Sequence, residues 1–419
     1  MAGAFLALLL PVGGAHAQFS AYVSGSGGTH SNPLYSYEQI GDQLRSMYLE
    51  LAFSAGGFRG KYAGGLTVFN RLTDRNYLDH GVSCTLQFHP EPENVEVDSL
   101  PDTVADERRE EEEGCLPDSV GLSGDAGLYM TARHDKSPFR EFDNFSAGLA
   151  GGVRWGLAQR WHLRARLEGG HRVYPFTQEL SNASGMLTAE AGYGGERGVS
   201  AGVRSIAGIK YYTAAAFDSS RFEPAPTYVT VTKPGAGKGG AKIIVKEGSG
   251  KAILANPDVR MAGEVGGAGY LRLAWEGGAA RLEFLYRQSL TAAARVLART
   301  PESATINEDL YNDFFSSDGP EVALTARQTL PGSVQLLLSL QHERKLYGIP
   351  PYASDGTELG GKRIDRRTAL ELSISRYTSL GADIGFDITF SGGVMRNASN
   401  DSYNDFTGWS FLCSLGFGF

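Results

Sequence analysis

The stretch "TGWSFLCSLGFGF", Thr407 to Phe419, constrains this chain more than any other. Counting back by twos, Phe419, Phe417, Leu415, Cys413, Phe411 and Trp409 are apolar or aromatic, while Gly418, Gly416, Ser414, Ser410 and Gly408 between them are small. A period of two belongs to the pleat of a β-strand, whose successive side chains point to opposite faces. Such a strand either packs one face on a soluble core and wets the other, or meets lipid on one face and a lumen on the other.

The same alternation recurs along the chain. Trp161, Leu163, Ala165, Leu167 and Val173 share one face of 160–174, and His162, Arg164, Arg166, Glu168, Arg172 and Tyr174 the other. Val199, Ala201, Val203, Ala207, Ile209 and Tyr211 alternate with Ser200, Gly202, Arg204, Gly208 and Lys210. On this basis strands are expected at 19–25, 43–55, 60–70, 79–88, 124–134, 144–156, 160–173, 183–193, 198–212, 261–276, 279–291, 319–329, 333–345, 367–378, 381–394 and 406–419. Many reach about ten residues, where soluble strands average ~5–6 and membrane-crossing strands need about 9–11. No run approaches the ~20 apolar residues of a transmembrane helix.

The connections keep a rhythm of their own. Tight ones carry turn residues: "AGGFRG" at 55–60, "GLAQR" at 156–160, "GGERG" at 194–198, "EGG" at 276–278, "LPGS" at 330–333 and "TSLG" at 378–381. Long ones lie between them, at 26–42, 213–260, 292–318, 346–366 and 395–405. Short turns on one side and long loops on the other are the pattern of an antiparallel transmembrane barrel, with periplasmic turns and extracellular loops. One connection breaks it. The acidic insertion 89–123 falls on the short-turn side, so the expected count is sixteen strands. The alternative is fourteen, with 71–143 placed outside the wall.

That insertion also explains the charge. Residues 91–118 hold twelve Asp or Glu against two Arg, so the rest of a chain of net charge -8 sums to about +2. A stretch so acidic and so poor in apolar residues is expected to be solvated and without a packed core. Residues 1–17, with the apolar block "AFLALLLPVGG" before "AHA", read as a secretory signal peptide, although no Lys or Arg precedes the block. Cys84 and Cys115 flank the insertion; they could pair in an oxidising compartment or stand as small hydrophobes.

The alternating final strand ending on an aromatic resembles the C-terminal signature of bacterial outer-membrane β-barrel proteins. The resemblance implies a barrel over 18–419 in the bacterial outer membrane. It also implies an insertion signal formed by Trp409, Phe411, Leu415, Phe417 and Phe419, read by the barrel-assembly machinery, with outer-membrane lipid as the other partner.

If the apolar faces meet lipid, the alternate residues line the interior, because a charge on the lipid side costs about 2–4 kcal/mol at mid-depth. The expected basic lining is Arg154, Arg164, Arg166, Arg172, Arg204, Lys210, Arg272, Arg281 and Arg287, and the expected acidic lining Glu321, Glu343, Glu371, Asp383 and Asp387. Walls of charge select solutes in a pore. The functional expectation is therefore a porin-like channel for small polar solutes or exported material. The alternative is a plugged surface barrel, structural or adhesive, that binds a partner through its loops.

Catalysis finds little footing. None of His16, His30, His80, His89, His134, His162, His171 and His342 stands in HExxH or another metal-ligand spacing. The one GxSxG, "GVSAG" at 198–202, opens an expected strand rather than a strand-to-helix turn, and "PGAGKGG" at 234–240 lacks the GxxxxGK[ST] of a phosphate loop. It is expected to be a flexible turn between "TYVTVTK" and "AKIIVKE", in a hairpin within the long loop 213–260. No cofactor, metal, enzymatic activity or nucleic-acid partner is expected.

Overall fold

A lipid-crossing sheet cannot leave an edge, since every unpaired backbone N–H or C=O in hydrocarbon costs several kcal/mol. The computed structural model meets that demand with one closed antiparallel barrel of sixteen strands. It describes residues 18–33, 39–88, 121–136, 143–158, 160–176, 178–194, 198–214, 226–232, 242–249, 253–255, 259–290, 296–298, 315, 317–353, 357–380 and 384–419. The wall strands are β1 (Gln18–His30), β2 (Asp42–Ala55), β3 (Phe58–Phe69), β4 (Tyr77–Phe88), β5 (Gly121–Asp135), β6 (Asn144–Ala158), β7 (Trp161–Val173) and β8 (Asn182–Gly194). They continue with β9 (Val199–Tyr212), β10 (Met261–Trp275), β11 (Gly278–Ser289), β12 (Gly319–Leu330), β13 (Val334–Leu346), β14 (Ile364–Ser379), β15 (Gly385–Ser399) and β16 (Phe406–Gly418).

Each strand pairs with its neighbours in sequence, and β1 closes on β16 from Tyr22↔Gly418 to His30↔Ser410. All sixteen expected strands are in the wall. The fourteen-strand alternative is excluded, because β4 and β5 pair with each other and with β3 and β6. The acidic insertion therefore joins β4 to β5 at the short-turn end of the barrel, against the rhythm of the other connections. Its structure, the proposed signal peptide and Cys115 lie outside the described residues. The expected hairpin is present, Pro226–Thr232 pairing with Lys242–Ser249, and Ile253–Ala255 pairs with Val296–Ala298.

A 13-residue strand such as β16, at ~3.3 Å per residue and tilted about 40°, rises about 33 Å, enough to cross an apolar band of about 25 Å with both ends in polar surroundings. The outer face supplies that band. Leu149, Val153, Leu167, Val203, Leu282, Phe284, Leu372, Ile374 and Phe411 all point outward and are exposed, Val203 by 64%. Trp155, Trp161 and Trp275 stand at its turn-end edge, where aromatic side chains anchor a barrel at the membrane interface. The protein is a transmembrane β-barrel.

Turns and loops are pinned by short-range chemistry. Gly56 and Gly277 take left-handed φ values of 58° and 70° in the two-residue turns after β2 and β10, a conformation glycine adopts without strain. At the loop end, side chains satisfy backbone donors: the Asp42 carboxylate accepts from the N–H groups of Arg71 and Leu72, and that of Asp318 from the N–H of Ser289. Most of the large buried apolar side chains among the described residues lie at this end, including Leu72, Tyr174, Leu180, Tyr212, Tyr403 and Phe406.

The seam between first and last strands is clamped from inside. Tyr22 on β1 donates its hydroxyl to Asp387 on β15 at 2.9 Å, reaching across β16. It can do so because the residue between them is Gly416, where a Cβ would run into both the Tyr22 hydroxyl and the Asp387 carboxylate. Gly416→Val should separate the pair, and Tyr22→Phe should remove the donor. Each is expected to cost about 1–3 kcal/mol, from overpacking in the first and an unsatisfied buried acceptor in the second. The readout is the temperature at which the folded, fast-migrating band disappears on unboiled gels, and an unchanged temperature for both variants would refute the clamp.

Candidate functional site

The lumen is lined by the residues facing inward, and the register identifies them strand by strand. On β7, Trp161, Leu163 and Leu167 are exposed on the outside, so Arg164, Arg166, Glu168 and Arg172 face in. By the same parity Arg154 on β6, Arg204 and Lys210 on β9, Arg272 on β10, and Arg281 and Arg287 on β11 face inward. Glu321 on β12, Glu343 on β13, Glu371 on β14 and Asp387 on β15 share the inner face, and Asp383 lies outside the described residues. Trp409, Phe411, Leu415, Phe417 and Phe419 all stand exposed on the outer face.

The basic residues form a connected wall. Arg154 lies directly opposite Arg164, and Arg164 opposite Glu190, which in turn lies opposite Arg204. Arg272 on β10 lies opposite Arg281 on β11. Like charges placed directly across a strand pair are destabilising, and the wall does so twice. Carboxylates are shared rather than matched. Glu283 accepts from Arg281 at 2.7 Å and is also bonded to Arg204. Tyr270 donates to Glu190 at 3.0 Å and carries the Arg281 guanidinium 4.5 Å above its ring. Arg166 pairs with Asp125 on β5 at 3.2 Å, with the arginine side chain still 38% exposed.

The acidic side is different in kind. Glu321 is bonded to Arg287 and accepts from Gln341 at 2.8 Å. Glu343 is buried between Lys345, at 3.4 Å, and Arg367, at 3.9 Å. Asp387 is taken by the seam clamp, while Glu371 is exposed to the interior. Of the expected acidic wall, Glu321 is thus neutralised by Arg287, and Glu343 by Lys345 and Arg367, which sequence reasoning passed over. The parity that placed Glu343 and Glu371 inside places these two beside them. In a ring of sixteen strands the partner across the lumen is eight strands away. The centre of the basic wall, β8 and β9, therefore faces β16 and β1, whose inner faces carry Ser24, Ser26, Ser410, Ser414 and Gly416 and no carboxylate.

At the loop end, one connection folds into the mouth. Phe315, just before β12, is buried on Tyr212 and Ala262. It lies against Gly208 and has the Lys210 ammonium 5.1 Å from its ring centroid, a cation–π contact. Beneath it is a cavity of about 330 Å³ whose lining includes Tyr129, Glu168, Arg172, Tyr174, Ser184 and Lys210. Arg172 donates to Ser146 at 3.0 Å and Tyr129 to Glu168 at 3.2 Å. This polar, cationic vestibule is large enough for a small solute.

No protein-family model matches the chain, and no curated protein is significantly similar to it. Among solved structures it is similar to Pseudomonas aeruginosa OpdL, at 12% identity and a TM-score of 0.44 over 96% of this chain and 98% of that one. It is similar to Acinetobacter baumannii OccAB1 at 8% identity and 0.43, over 96% of each chain. Pseudomonas aeruginosa OprD matches at 10% identity and 0.42, over 96% of this chain and 95% of that one.

Phe315→Ala should loosen the docked connection without touching the wall. Amide exchange at Asp318 and Leu346, whose backbones bond each other at 2.8 and 3.0 Å, is expected to quicken, while exchange at mid-wall amides stays unchanged. Equal protection in the variant would show that Phe315 does not hold this segment.

Proposed function

We propose that this barrel is an outer-membrane channel that admits small polar solutes and favours anions. The observation that carries the reading is the surplus of fixed positive charge on β6–β11. There Arg154 and Arg164, and Arg272 and Arg281, are set directly opposite each other, and one carboxylate, Glu283, serves two guanidiniums. A fold has no structural need for such placement, whereas a water-filled passage gains from it: a one-sign field raises the local concentration of counter-ions.

Two further features support a passage over a plug. Barrels of sixteen to eighteen strands enclose an aqueous channel when loops do not fill them. Among the described residues, Glu371 and Asp79 on the inner face remain exposed, which a packed interior would not leave so. The long loops beside the vestibule fit an extracellular mouth, and the short turns and both strand termini at 18 and 418 fit the periplasmic side. The outward row Trp409, Phe411, Leu415, Phe417 and Phe419 then serves as the assembly signal, with lipid taking its place once insertion is complete.

Arg154→Gln with Arg164→Gln tests the wall. A unit charge ~7 Å from a permeating ion in water contributes about 0.6 kcal/mol. Removing two should disfavour the anion by up to about eightfold and favour the cation as much, so the anion-to-cation permeability ratio falls by up to about sixtyfold at low salt, with less effect as salt rises. Reversal potentials of the purified protein in planar bilayers under a salt gradient give the ratio directly. A folded, inserted barrel that passes no current would overturn the channel, and unchanged selectivity in the double variant would overturn the role of the wall.

A further inference from the structure

The outer face should be free of charge, and on β13 and β14 it is not. Arg344 alternates with the inward, buried Glu343 and Lys345, and Arg366 with the inward, buried Asp365 and Arg367. Both arginines consequently point outward, are exposed, and are directly opposite each other across the strand pair. No carboxylate among the described residues pairs with either. One rung closer to the barrel's middle, His342, Thr368 and Arg396 form the next outward row. The Nδ1 of His342 is 2.8 Å from the Thr368 hydroxyl, and Arg396 is held by Asp405 at 2.6 Å and Thr407 at 3.2 Å. The row below that is apolar throughout: Leu340, Leu370, Val394 and Trp409.

The cationic cluster thus sits on the upper border of the lipid-facing band, at its loop end, with rungs about 7 Å apart. Two guanidiniums side by side repel. Among the described residues Asp405 neutralises only Arg396, and none supplies a counter-charge to the pair Arg344–Arg366. Planar guanidiniums bind phosphate in bidentate fashion, and the polar border of the bilayer is where lipid phosphates lie.

We infer that Arg344 and Arg366, with His342 and Arg396 below them, form a binding site for the phosphate of an anionic membrane lipid whose acyl chains run down the Leu340–Leu370–Val394 row. The inference rests on the transmembrane placement of the barrel but not on its conducting solutes. Arg376, outward and exposed on the same strand β14 at its turn end, has no such neighbours and serves as the control position.

Native mass spectrometry of the full chain in neutral detergent, titrated with bis-phosphorylated lipid A or with phosphatidylcholine, reads the site out. Lipid A should bind the wild type, and Arg344→Gln with Arg366→Gln should weaken it about thirtyfold, roughly fivefold for each arginine at an anionic lipid surface. Arg376→Gln should bind as the wild type does. Arg344→Lys with Arg366→Lys, which keeps the charge and loses the bidentate fork, should fall between. Heat-modifiable migration, checked on every variant, separates loss of the site from loss of the barrel. Equal lipid A affinity in the glutamine double variant would overturn the site. So would equal retention of phosphatidylcholine, or full displacement of lipid A by inorganic phosphate at millimolar concentration, which would make the site one for free anions.

Discussion

Everything in this barrel depends on one pairing, that of β1 with β16. Fifteen of the sixteen strand pairs join consecutive wall strands, so each forms by extending the sheet by one step. The last pair joins residues nearly four hundred positions apart, and until it forms two edges of unpaired backbone face hydrocarbon. The Tyr22–Asp387 bond lies beside that pairing, linking the first strand to the penultimate one over Gly416. The small inner face of the final strand is therefore a condition of closure. A larger residue there would fill the space through which the clamp passes.

Closure also shapes the lumen. The strands that meet at the seam must approach each other from inside with small or hydroxyl-bearing residues, so they carry no inward charge. Fixed positive charge is carried instead by strands far from the seam, β6 to β11, where each pairs with its neighbour in sequence. The resulting cross-section is asymmetric: an arginine-rich wall looks across at a neutral one, and between them Glu321 and Glu343 are bound to cations of their own. The field across such a lumen points one way.

Much of this was legible in the sequence, because the pleat of a strand is written in every second residue. Parity alone located all sixteen strands and assigned Arg164, Arg166, Arg204 and Lys210 to the inside, and the turn residues at 56–57, 276–277 and 331–333 fixed where strands reverse. What parity cannot supply is distance between strands. Arg204 reaches Glu283 across β10, past Ala268, which depends on two registers at once. The burial of Glu343 between Lys345 and Arg367 likewise depends on the offset of β13 against β14. Phe315 lies in a connection without periodicity, and nothing in its neighbours marks it as the residue that enters the mouth.

The same reasoning turns exceptions to alternation into information. Across most of the outer face the pattern is apolar, and a charge placed there would be expelled by lipid unless something compensates it. Arg45 on β2 and Arg376 on β14 break it singly, whereas Arg344 and Arg366 break it side by side at one height on adjacent strands. Their inward neighbours, Lys345 and Arg367, share the carboxylate of Glu343, so the wall at this point carries cations on both faces and an internal counter-charge on only one. The inner pair is satisfied by the protein. The outer pair finds no counter-charge among the described residues, and at that height its surroundings are the polar border of the membrane.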